Sequence, residues 1–175
     1  MAREICCVSR RCESWRRSSR VRALMESVFD KPLGANWMVP WHQDLCLAVR
    51  SKVETAGFAA WSVKAGVAHL EAPFDLLSRM ATIRIHLDAA DRENGALRVI
   101  AGSHRLGRLM ADGVDAARAA RAETVCVVPA GGALLTRPGF LHASSQAANG
   151  RPRRVVHLEF AAEDLPGGLE WAERV

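Results

Sequence analysis

The chain has 175 residues, 49% of them hydrophobic and 25% charged, which suits one globular domain with its own core. No apolar run nears the roughly 18 residues of a membrane-spanning helix, so the chain reads as soluble. The formal charge of +5 sits wholly within residues 1–22, where seven arginines face two glutamates. The body is neutral, and a nucleic-acid partner is not expected.

Residues 1–20 read as an Arg-rich, poorly ordered start, and residues 21–175 as a single domain. The twin arginine of "SRRCES" is followed by no apolar stretch, so nothing supports export. The five cysteines are odd in number and form no C-x-x-C pair. That argues against a disulfide framework and a thiolate zinc site, and it points to a reducing, cytoplasmic setting.

From residue 21 the texture is mostly β. "VRALMESVFD" is short and ambiguous. "WMVPWHQDLCLAV" alternates around its tryptophans and valines and reads as one strand, with Pro40 implying an edge or a bulge. Period-two alternation then places His42, Asp44 and Cys46 on one face. "WSVKAGVAHL" follows a loop, and "PFDLLSRM" reads as a short helical or turn segment.

"TIRIHLDAAD" is the clearest strand, with Ile83, Ile85 and Leu87 on one side and Thr82, Arg84, His86 and Asp88 on the other. Asn94-Gly95 centres a hairpin-type turn into the next strand. "MADGVDAARAARAE" reads as a helix of about three turns. "TVCVVPAGGALLTRPG", "FLHASSQAA" and "PRRVVHLEFAA" complete the β series, with turns at Gly131-Gly132 and Gly150. Many short strands with Gly/Pro turns and few helices imply a barrel or jelly roll.

His42 and Asp44 stand one residue apart, and His142 follows His42 by 100 positions. Two imidazoles and a carboxylate form the donor set of a facial metal triad, which leaves cis positions open for further ligands. The H-x-D spacing alone is weak. It gains weight from Ser144, two residues beyond His142, and from Arg153, eleven beyond it. A guanidinium fork suits a planar carboxylate better than an ammonium does, so Arg153 is placed to bind a dicarboxylate, with Ser144 adding a hydroxyl. Arg154 faces the other way.

"WHQD", "IHLDAADRENGALRVIAGSHRLGRL" and "LHASSQAANGRPRRVVHLEF" together resemble the phytanoyl-CoA dioxygenase family of iron(II)/2-oxoglutarate oxygenases, from about Asp30 to Phe160. The resemblance implies a mainly β fold, a double-stranded β-helix (jelly roll, cupin-like) with one or two flanking helices. It implies iron(II) held by His42, Asp44 and His142, and 2-oxoglutarate held by Arg153 and Ser144 with Gln43 nearby. O2 would be the oxidant and a small molecule the substrate, hydroxylated at an unactivated C–H bond. Asn94, Gly95, Gly102 and His104 match the family's signature block and read as structural. The family usually carries a longer helical N-terminal part, in place of which this chain has about twenty Arg-rich residues. Related halogenases replace the triad carboxylate with a small residue, so Asp44 implies hydroxylation over halogenation.

Two other functions fit the residues: another metal-dependent cupin-like enzyme, or a truncated, non-catalytic small-molecule-binding domain. Arg153 speaks against the first, which needs no dicarboxylate clamp. Arg84 and His86 can touch a ligand or form a satisfied buried pair. His69, His104 and His157 read as structural, Cys46 as a small core residue, and Trp37, Trp41 and Trp61 as core or pocket wall. Lys31 reads as a surface residue within possible reach of the co-substrate. Oligomeric state is not legible.

Overall fold

The computed structural model describes residues 5–7, 22–31 and 36–172, with 5–7, 22–27 and 31 as backbone alone. The Arg-rich start, apart from the backbone of 5–7, and the side chain of Lys31 lie outside the described residues. Among the described residues twelve strands are numbered in chain order: β1 (Ile5–Cys7), β2 (Arg22–Lys31), β3 (Val39–His42), β4 (Cys46–Val49), β5 (Ala59–Lys64), β6 (Val67–Glu71), β7 (Ala81–His86), β8 (Leu97–Ile100), β9 (Glu123–Val125), β10 (Ala133–Thr136), β11 (His142–Ser144) and β12 (Arg153–Ala161). Two helices join them, α1 (Phe74–Leu77) and α2 (Ala111–Ala120).

The strands form a five-stranded sheet in the order β1-β10-β7-β12-β2, a four-stranded sheet β3-β11-β8-β9 and a three-stranded sheet β4-β6-β5. The first two are the facing sheets of the expected jelly roll. Apart from the parallel β1–β10 pair, every ladder is antiparallel. No helix among the described residues is long and apolar enough to cross a membrane.

The core is divided. Leu97, Val99, Val128, Leu134 and Phe140 pack between the two larger sheets. Leu47, Leu70, Leu77, Met80 and Trp171 form a second cluster against the three-stranded sheet. α2 lies on the outer side of the four-stranded sheet, where Ala117 meets Ile100 and Leu141. Trp41, beside His42 but directed outward by the pleat, is flanked there by the Arg98 and Arg118 guanidinia, each 5.4 Å from its ring.

Three expectations need correction. The segment around the H-x-D is two strands rather than one, because β3 stops at His42 and β4, which starts at Cys46, belongs to another sheet. Cys46 is exposed, not a core residue. The Asn94-Gly95 turn is not a hairpin either: β7 pairs with β10 and β12, while β8 pairs with β11 and β9. The turn instead carries the chain from one sheet to the other. Asn94 is buried, accepts from the Asp91 N–H at 2.8 Å and donates to the Ala89 carbonyl at 2.7 Å. Gly95 has φ +73° and lies so close to the Ser145 carbonyl that a side chain there would collide with it.

The ambiguous segment before Lys31 is the ten-residue strand β2, paired along β12. On β12, Arg153, Val155, His157 and Glu159 are buried, whereas Arg154 is exposed and chelates Asp88 through Nε and Nη2 at 2.8 Å each. On β7 the polar members Thr82, Arg84 and His86 point inward, and Ile85 is on the open side. A sheet that turns polar residues toward its partner sheet is building a site, not only a core.

Candidate metal centre

His42 ends β3 and His142 begins β11, and the two are direct partners in the ladder. Their rings lie 4.2 Å apart, centroid to centroid. Asp44 follows the end of β3, and its carboxylate reaches both: Oδ1 is 3.1 Å from His42 Nε2, and Oδ2 is 3.3 Å from His142 Nε2. One candidate ligand atom from each residue lies within 4.8 Å of the others.

Hydrogen bonding fixes both tautomers. His42 Nδ1 is 2.8 Å from the Pro40 carbonyl and His142 Nδ1 is 3.1 Å from that of Phe140. A carbonyl only accepts, so each Nδ1 carries the proton, and in the neutral ring Nε2 presents a lone pair. Two lone pairs thus face a carboxylate. Acceptors in contact repel unless a cation stands between them, either a proton or a metal ion. The donor set fits a divalent first-row metal.

The electrostatics follow this crowding. Desolvation pushes the Asp44 carboxyl up, but the imidazoles of His142 and His42, which donate to it when protonated at Nε2, outweigh that and hold the group well below the usual carboxylate range. The hydrogen bond to Asp44 raises His42. Burial lowers His142, with Asp44 acting against it.

The three residues line a cavity of about 120 Å³ between the two larger sheets. Arg153 and Ser144 line it too, both buried, as do Arg84, Phe29 and Trp37. Arg153 is 7% exposed, has no carboxylate partner among the described residues, and leaves Nε without a hydrogen bond. Burial, with Arg84 adding repulsion, pushes its guanidinium down to about 10. A buried guanidinium without an anion is costly, and here it faces the space beside the metal ligands.

Gln43 does not line the cavity. Its amide donates to the carbonyls of Gly107 at 2.9 Å and Gly139 at 2.6 Å, and accepts from the Leu109 N–H at 2.8 Å. Trp37 is pocket wall, as expected. Sequence reasoning missed Phe29, because β2 was ambiguous, and left Arg84 undecided. The inward, polar side of "TIRIH" was the signal for Arg84.

A family model described as phytanoyl-CoA dioxygenase (PhyH) matches residues 6–155, most of the chain. The chain belongs to the phytanoyl-CoA dioxygenase family. Solved structures with the same fold include AviO1 from Streptomyces viridochromogenes Tue57, at 24% identity and TM-score 0.57, covering 84% of this chain and 53% of that one. EctD from S. alaskensis with bound Fe matches at 17% identity and TM-score 0.59, covering 82% and 45%. SnoK, a non-heme α-ketoglutarate-dependent carbocyclase from nogalamycin biosynthesis, matches at 15% and 0.58, covering 82% and 51%. The chain spans about half the length of these three structures. No curated protein matches the sequence.

Proposed function

We propose that the chain is an iron(II)- and 2-oxoglutarate-dependent oxygenase that hydroxylates a C–H bond of a small molecule. The observation that carries this is a buried, carboxylate-free Arg153 lining the same cavity as three converging metal-ligand atoms. A metal site alone fits many hydrolases and isomerases. A metal site beside a guanidinium waiting for an anion fits a keto-diacid co-substrate. Membership of a dioxygenase family supports the same reading.

His42, Asp44 and His142 would hold iron(II), and Arg153 with Ser144 would hold the far carboxylate of 2-oxoglutarate. When bound, the metal and co-substrate activate O2 for oxidation of a C–H bond. The protein's own part is placement. The Pro40 and Phe140 carbonyls keep the imidazole protons on Nδ1, so Nε2 stays a lone-pair donor. Arg153 orients the diacid, and Phe29, Trp37 and Val39 restrict water around the reacting centre. Asp44, an intact carboxylate, supports hydroxylation over halogenation, and the site's small neutral-to-cationic cavity supports a small-molecule substrate.

The test is anaerobic addition of Fe(II) and then 2-oxoglutarate to the purified chain, followed by air. A visible charge-transfer band and succinate formation are expected. Succinate formation that persists in both His42→Ala and Asp44→Ala would overturn the assignment.

A further inference from the structure

The cavity holds a second guanidinium. Arg84 stands on the inward side of β7, opposite His157 of β12, with 11% of its side chain exposed. Its Nε has no hydrogen-bond partner. Its Nη2 lies 3.7 Å from Asp44 Oδ2, beyond ordinary hydrogen-bond length, while the two imidazoles sit closer to the same carboxylate. Phe29 covers the guanidinium, with its ring 5.7 Å away. Glu159 acts on it as well, and Asp44 more strongly. Arg84 is thus near an anion but not well satisfied by it.

Two buried guanidinia around one small cavity repel each other, and each keeps an unfilled Nε. The lowest-energy occupant is an anion with two negative groups, because each arginine then gains charge-assisted hydrogen bonds and their mutual repulsion is offset. A cavity of about 120 Å³ has room for a small diacid. Position divides the labour. Arg84 lies beside Asp44, so a group bound at the metal would be within its reach, whereas among the described residues no ion pair joins Arg153 to the triad.

We propose that Arg84 is the second anion-binding residue of the cavity, holding the metal-side carboxylate of a small keto-diacid whose far carboxylate sits on Arg153. The identity of the diacid rests on the oxygenase reading above; the pairing of two arginines with two carboxylates rests on the cavity.

Anaerobic calorimetry on the Fe(II)-loaded chain separates the two arginines, using 2-oxoglutarate and 2-oxobutanoate, a keto acid that lacks the far carboxylate. Arg84→Gln is expected to weaken both ligands by about tenfold or more, the value of a charge-assisted hydrogen bond. Arg153→Gln is expected to weaken 2-oxoglutarate alone. Fe(II) affinity in Arg84→Gln should equal or exceed that of the wild type, because a positive charge near the metal is removed. Arg84→Lys keeps the charge and should fall between wild type and Gln for both ligands; it serves in place of Gln if circular dichroism finds the Gln variant unfolded.

Unchanged binding of both keto acids in Arg84→Gln would overturn the inference. So would a parallel loss of Fe(II) affinity, which would make Arg84 a prop for Asp44, or a loss confined to 2-oxoglutarate. Wild-type chain that takes Fe(II) but neither keto acid overturns the oxygenase reading itself and this inference with it.

Discussion

His42 and His142, 100 residues apart in the chain, are direct partners across the β3–β11 ladder, with ring centroids 4.2 Å apart. Their side chains share a face because the pairing is in register, and Asp44 closes the third corner from just beyond the end of β3. Strand pairing therefore brings the two imidazoles together, and the segment that follows β3 adds the carboxylate, so the site is preformed in the fold.

A preformed site binds metal in the folded state only, so metal must stabilise the fold. Thermal unfolding of the wild-type chain should shift upward with Fe(II) under anaerobic conditions, by about 2.7 kcal/mol at a hundredfold excess over Kd. In Asp44→Ala the shift should vanish, although the unloaded protein stays folded, since removing the carboxylate also relieves the crowding of acceptors. A metal-dependent shift that survives in Asp44→Ala would place the metal elsewhere.

Arg153 and Arg154 are sequence neighbours on opposite faces of β12, one buried in the cavity and one exposed against Asp88. Arg153→Gln should raise the 2-oxoglutarate concentration for half-saturation at least about tenfold. Arg154→Gln should change it by less than about twofold, because the far face of a strand does not reach the cavity. Steady-state kinetics with the two variants side by side checks this, and equal effects would mean the strand phase is misassigned.

His86 is 2% exposed, with neither ring nitrogen hydrogen bonded. Burial, then the charges of Arg153 and Arg84, push it from 6.5 down to about 4. Between those values the unfolded chain binds a proton that the folded chain refuses. Stability from this residue is complete above about pH 6.5 and declines as pH falls toward about 4. The loss should be about 3 kcal/mol, the equivalent of that shift. Urea unfolding across that window, compared with His86→Phe, should show a steeper pH dependence in the wild type. Parallel curves would argue against a neutral, buried His86.

Much of this was legible in the residues. The strand "TIRIH" and the helix before Thr124 came from local pattern, whereas the grouping of His42, Asp44 and His142 with Arg153 came from residue type together with the family resemblance. What stayed hidden depends on long-range pairing. The alternation of Ile83 and Ile85 with Arg84 and His86 marks a strand but not which side faces inward. The usual preference for apolar residues inside points the wrong way where a sheet builds a polar cavity. Likewise, Asn94-Gly95 has the same local chemistry whether the flanking strands pair with each other or with strands of two sheets. The break between His42 and Cys46 was hidden because period-two logic continues any strand until something outside it intervenes.

That intervening element is Gln43. It is half-buried, and three backbone groups from Gly107, Leu109 and Gly139 converge on its amide, while the Gly139 N–H donates to the Asp44 carbonyl at 3.2 Å. These bonds pull the chain out of β3 between the two ligands and set where Asp44 begins relative to His42. Gln43→Leu has similar bulk but leaves those backbone groups without partners, which should cost about 2–4 kcal/mol in urea unfolding. Fe(II) affinity should fall by about tenfold, as for other residues that orient metal ligands without touching the metal. Once the metal is loaded, the affinity for 2-oxoglutarate should stay within about twofold of wild type, because the amide does not reach the cavity. A selective loss of 2-oxoglutarate binding, with metal affinity and stability intact, would instead place Gln43 on the co-substrate.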